Sequence, residues 1–107
     1  MGMVTQILTF GASAVQFPVP NDIPTVHTVS AEPLRTNTHP CWIGTSAVTN
    51  DGSGTGVMTQ LATPPAATVP VDRWSYQPST DGNRVDPTGF WAHGTSGEKL
   101  IVSYLKV

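Results

Sequence analysis

An all-β domain is the fold this sequence predicts: a small antiparallel β-sandwich or jelly-roll of about eight short strands, with essentially no helix. Valine outnumbers leucine 12 to 5, and β-branched side chains suit a pleated, half-buried surface. Ten Gly and ten Pro are spread over 107 residues, so nearly every stretch that might build helical periodicity is interrupted. Short alternating segments recur instead, each bounded by turn chemistry.

The elements follow in chain order. Residues 4–10 read as a strand with Ile7 and Leu8 at its centre. Gly11, Ala12 and Ser13 are a turn signal, and residues 14–17 follow as a second strand, so the two are expected to pair as an N-terminal hairpin. Pro18, Pro20 and Pro24 make 18–24 a rigid connection that cannot join a central ladder. Residues 26–31 form a third strand, and 33–40 a loop rich in Thr and Asn. Residues 41–44 are a short apolar strand. Three glycines in 52–56 make that stretch the most flexible. Residues 57–61 resume extended structure, and Pro64 and Pro65 mark a turn. Residues 68–74 alternate with period two, though Pro70 confines them to an edge or a strand start. The stretch 73–89 reads as an inserted surface loop. A strand opens at Phe90, Gly94 to Glu98 form a tight turn, and 99–105 close the chain as its strongest strand. The whole is one domain, 1–107, of a length that calls for one core.

Composition excludes several functions. The formal net charge is −2, with five Lys and Arg scattered along the chain; no basic stripe exists for a phosphate backbone, so no nucleic acid is expected as a partner. No apolar run approaches a membrane span, and residues 1–10 lack the pattern of a signal peptide. A lone Cys41 forms no internal disulfide and fits synthesis in a reducing cytoplasm. Charged residues are only 11% of the chain. A surface of hydroxyls, Gly, Pro and apolar groups is poorly soluble, which is expected of a chain covered by partners in its working state.

No constellation of catalytic or cofactor-binding residues stands out, and the chain is expected not to be an enzyme. Glu98 separates Gly97 from Lys99, so 94–99 is a hairpin turn and not a phosphate loop. Asp51, Ser53 and Thr55 have the oxygen spacing of a calcium loop, but Ala62 stands where its last carboxylate belongs. Asp81, Asn83 and Asp86 are read as Asx turns. His27, His39 and His93 lie on separate segments and are read as surface or interface residues without a metal. Cys41 is read as a buried, inert thiol. No Gly-x-Ser-x-Gly elbow occurs. Trp42 and Trp91 sit beside apolar neighbours and are assigned to the core. Trp74 and Tyr76 flank a polar stretch and, with Pro18 and Pro20, are the candidate partner contacts, a protein being preferred to a glycan.

Taken together, Thr-Phe-Gly-Ala-Ser-Ala-Val-Gln-Phe-Pro (9–18), Val26-His27-Thr28-Val29, Asn37, Cys-Trp-Ile-Gly (41–44) and Ser-Ala-Val-Thr-Asn-Asp-Gly (46–52) form an ordered series. It continues with Gly-Val-Met-Thr-Gln-Leu (56–61), Thr-Val-Pro-Val-Asp (68–72), Phe-Trp-Ala-His-Gly-Thr-Ser-Gly-Glu (90–98) and Val-Ser-Tyr-Leu (102–105). This series resembles small virion structural proteins of tailed bacteriophages, departing from them at Trp42, at Pro70 and in 73–89. The resemblance implies a β-sandwich and a place in a phage particle, and carries over no catalytic residue. The expected function is capsid decoration or cementing: binding the outer head surface and stabilising subunit contacts by mass action. The expected partners are the major capsid protein and further copies of the chain as a small homo-oligomer, with a trimer favoured. A tail, baseplate or fibre-associated module, with or without glycan binding, is the alternative.

Overall fold

The computed structural model describes residues 2–18, 26–49, 51–54, 56–64, 69–77 and 85–106. Eight strands form in the expected order: β1 (Gly2–Thr9), β2 (Val15–Gln16), β3 (Thr28–Pro33), β4 (Cys41–Gly44), β5 (Val57–Leu61), β6 (Trp74–Tyr76), β7 (Trp91–His93) and β8 (Lys99–Lys106). Pro87–Gly89 adds one turn of 3-10 helix, capped by the Asp86 carboxylate, which accepts from the Thr88 N–H.

The strands make two antiparallel four-stranded sheets. Sheet A runs β1-β8-β3-β6 and sheet B runs β2-β7-β4-β5. The pairs β1·β8, β2·β7, β3·β6 and β4·β5 are the nested arms of one long hairpin, rolled so that its arms alternate between sheets. That is jelly-roll topology, and the all-β sandwich predicted from the sequence is the fold observed.

The expected N-terminal hairpin is not formed. β1 pairs with β8 and β2 with β7, so the Gly11–Ser13 turn is a corner between sheets. A local ribbon satisfies only its own ladder. The corner lets both Phe10 and Phe17 enter the core, where each is almost fully buried, and burying a Phe side chain contributes roughly 1.5–3 kcal/mol. The sixth strand begins at Trp74 and not at residue 68. Pro70 donates no ladder hydrogen bond, and the Asp72 carboxylate is engaged in accepting the Ala62 N–H. The 73–89 stretch is therefore no simple insertion. Residues 74–76 are a strand of sheet A, and Val85 bridges Val26. Residues 78–84 and 19–25 lie outside the described residues, and with them Pro20, Asp81 and Asn83.

The core lies between the sheets. Leu8, Val29, Ala31, Leu100, Val102 and Tyr104 come from sheet A, and Cys41, Ile43, Leu61 and Ala92 from sheet B. Phe10, Phe17, Val26 and Phe90 fill the ends. β8 organises this packing. Leu100, Val102 and Tyr104 are fully buried while Ile101, Ser103 and Leu105 face outward, a clean period of two. The start of β8 is held by Asn37. Its Nδ2 donates to the Lys99 carbonyl at 2.6 Å and its Oδ1 accepts the Lys99 N–H at 3.1 Å. The side chain thus adds to the ladder beyond Pro33, where the Leu34 N–H also gives to the Lys99 carbonyl at 3.1 Å.

Candidate functional site

Trp74 and Tyr76 alternate with Ser75 along β6 and are paired with Ala31 and Val29 of β3. Both rings therefore turn toward the inner side at the sheet's edge. Trp74 meets Phe90 at 5.1 Å between centroids and Phe17 edge-on at 6.1 Å. Tyr76 lies 5.5 Å from Phe90. The four rings close one margin of the sandwich in tilted and T-shaped contacts, the arrangement the aromatic quadrupole favours. Trp74 is half-buried, and so belongs to the margin of the core more than to a free surface. Tyr76 is 41% exposed. Pro18 follows Phe17 at the same margin, and its carbonyl accepts the Tyr104 hydroxyl. Three of the four candidate contacts are thus gathered at one place. Phe17 and Phe90, which position them, were not singled out by sequence; their only signal is a lone aromatic at the end of a short strand.

The outer face of sheet A is dressed in hydroxyls. Thr5, Ser103, Ser30 and Ser75 stand in one register row across all four strands. Arg73 Nη2 donates to Ser30 Oγ at 3.3 Å, and Thr28 and Leu105 complete a shallow depression of about 200 Å³.

Trp42 and Trp91 are not in the core. Their neighbours Ile43 and Ala92, both fully buried, take the inner positions, which by strand parity puts the two indoles on the outer face of sheet B. Both are half-buried. Gly52, at φ +75°, lies against Trp42, and any Cβ there would overlap the indole nitrogen. The start of this glycine-rich loop is tied by side-chain hydrogen bonds. Asp51 Oδ1 accepts from Thr49 Oγ1, Ser53 N and Ser53 Oγ at 2.7–3.0 Å. These hydrogen bonds hold the Asp51 carboxyl down at about 2, so the ligand-like spacing of Asp51 and Ser53 serves an Asx turn.

His93 is buried, contrary to its reading as a surface or interface residue. Its Nδ1 donates to the Val48 carbonyl at 3.2 Å, and Nε2 is buried without a partner. His39 is exposed and lies 3.4 Å from Glu98 Oε2. That oxygen also accepts Thr38 N at 2.7 Å and Thr38 Oγ1 at 2.9 Å. Burial alone raises the Glu98 carboxyl, but these donors outweigh it and leave it below its ordinary value. Desolvation, with the Glu98 charge adding to it, pushes the Cys41 thiol up to about 12. Gly94 backs against Phe10 and Cys41, and Gly97 takes φ +90° in a bulge where both it and Glu98 bond to Phe10. The 94–98 segment is a tight turn, with Glu98 N donating to the Thr95 carbonyl at 3.0 Å, but it is not the expected hairpin: it joins β7 of sheet B to β8 of sheet A, which do not pair, and so is a second corner between the sheets. Among the described residues no group of three or more His, Cys, Asp or Glu is placed to hold a metal, and no helix is long and apolar enough to cross a membrane.

No protein-family model matches the chain, and no curated protein matches it. A solved chain described as "Bacillus endospore appendages form a novel family of disulfide-linked pili" aligns over 99% of this chain and 87% of its own, at 15% identity and a TM-score of 0.44.

Proposed function

We propose that the chain is a structural component of a tailed-phage particle, a decoration or cement protein seated on the outer face of the head. The observation that carries this reading is the aromatic margin. Tyr76 is 41% exposed yet held by Phe90, so a rigid ring with a polar tip is offered at a sheet edge. Such rings are the preferred anchors of protein interfaces. Beside it, the outer edge of three-residue β6, unpaired among the described residues, leaves backbone groups to which an extended segment of a shell subunit can add. The scarcity of charge supports a surface that meets protein, and the sequence resemblance to small virion proteins supports the particle. The chain performs no chemistry in this role. It binds the assembled lattice better than free subunits and stabilises the shell by that difference.

Counting copies of the chain per purified particle against the major capsid protein tests the reading. A simple fraction of the lattice is expected. A few copies per particle transfer the chain to the tail, and absence from the particle ends both assignments. Within the head reading, Tyr76→Ala is expected to lower affinity for the shell by about tenfold or more, the loss typical of an anchor residue. Unchanged occupancy removes Tyr76 from the interface.

A further inference from the structure

The edge of sheet A opposite β6 is β1, and it is unlike the other edges. β1 runs eight residues, against two for β2, three for β6 and five for β5. Its sequence GMVTQILT has no charge and no proline, and its pairing with β8 is continuous from Gly2↔Lys106 to Thr9↔Lys99 without a bulge. Proteins that stay monomeric blunt such edges with lysine, proline, bulges or a covering element. Here none of these devices is present in the strand.

Strand parity identifies which backbone groups are free. Phe10 exchanges hydrogen bonds with the β8 side, through Glu98 O at 2.9 Å and Gly97 N at 2.9 Å. Residues of like parity, Val4, Gln6 and Leu8, therefore face β8, and Met3, Thr5, Ile7 and Thr9 direct their N–H and C=O groups outward. Lys99 agrees: its N–H and C=O bond to Asn37 on the β3 side, so the Thr9↔Lys99 pair is the non-hydrogen-bonded kind.

Gln6 lies midway among those four residues. It is the polar member of the inward row Val4, Gln6, Leu8, and its Oε1 is buried with no hydrogen-bond partner. A buried amide oxygen left unpaired has lost its hydrogen bond to water without gaining another, a penalty that a donor from a partner removes.

We infer that β1 is a self-pairing edge: it joins β1 of a second copy, antiparallel about a two-fold axis through Gln6. In that register Met3 exchanges both backbone hydrogen bonds with Thr9 of the second copy, and Thr5 with Ile7. All four outward residues are then used. The two Gln6 residues become a directly opposed, non-hydrogen-bonded pair, the close kind in which side chains touch. Once the side chains turn toward the edge, each carboxamide donates its N–H to the Oε1 of the other. On the outer face Ile7, 61% exposed in the single chain, lies beside Thr5 of the second copy, a favourable β-branched pair. The two sheets A become one eight-stranded sheet. The occupant is a second copy because no other edge among the described residues has the length to cover β1, and because an uncharged strand meets itself without repulsion. A closed trimer would have to pair β1 with one of the shorter edges. This inference goes beyond the shell reading and does not rest on it, since it is tested on the isolated chain.

Sedimentation of the full chain from micromolar to submillimolar concentration is expected to show a dimer. Ile7→Lys and Thr5→Pro are each expected to abolish it while circular dichroism stays native, because the Thr5 N–H points outward and its loss spares the β1–β8 ladder. Gln6→Cys is expected to form a disulfide-linked dimer under mild oxidation, and Val4→Cys is not. Mass at 11.3 kDa throughout that range overturns the inference. So does a trimer, an open-ended series of larger species, or a dimer that survives both edge variants.

Discussion

A thiol reacts through its thiolate, and Cys41 has almost none at neutral pH. It is 1% exposed, and its pKa is pushed up to about 12 by desolvation with help from the Glu98 charge. A thiol reagent is therefore expected to label it only as fast as the sandwich opens. Comparing labelling rates in native buffer and in denaturant checks this, and native labelling at the rate of a free cysteine would refute it. That inertness was legible in sequence, from an apolar strand with nothing basic beside the thiol. The two tryptophans were not. Cys-Trp-Ile-Gly is apolar throughout, so period two gives no hint of which residues face inward. The indole of Trp42 is instead shielded by Gly52, at a left-handed φ that glycine adopts without strain. An exposed-looking glycine run carried that information, but only in three dimensions.

Most of the strands were readable, as short segments closed by Gly, Pro, Asn or Asp; β6 was not, because Trp74–Tyr76 falls in the polar stretch that reads as a surface loop. The strands' partners were not readable. The Gly11–Ser13 turn signal is satisfied equally by a hairpin and by a corner, and the choice is made by Phe10 and Phe17 seeking one core. Of the candidate contacts, Trp74, Tyr76 and Pro18 were legible as a group only once β6 was seen to border Phe17 and Phe90. β8 starts at a carboxylate, and this gives its stability a pH dependence. Glu98 is held below its ordinary value by Thr38 and His39 against the opposing effect of burial; Asp51 and Asp86 are lowered by their own turn hydrogen bonds. A carboxyl depressed in the fold contributes stability above its unfolded pKa, near 4, and loses it as pH falls through the folded value. The melting temperature is expected to be insensitive to these groups above about pH 5 and to drop toward pH 2. Glu98→Gln is expected to lower the melting temperature at neutral pH and to flatten the upper part of that drop. Thermal melts across the range check it; an unchanged profile would remove Glu98 from the account.

At the scale of the whole molecule, nested pairing decides kinetics. β1·β8 joins the two ends of the chain and β2·β7 the next arms inward, so most sheet contacts close long loops. Loop closure must precede the reward, and all-β domains of this kind fold in milliseconds to seconds. Stopped-flow tryptophan fluorescence is expected to place refolding in that window, and a microsecond phase carrying the full amplitude would contradict it. The same nesting sets how the molecule bears a load. Gly2 and Lys106 are register partners at adjacent ends of antiparallel strands. A pull on the two termini therefore opens the β1–β8 ladder like a zipper, breaking one pair at a time at low force. A pull applied along β1 from a partner strand loads the edge hydrogen bonds in parallel, in shear. The fold is mechanically weak through its ends and strong along its edges, so tension in any assembly is best carried from strand to strand.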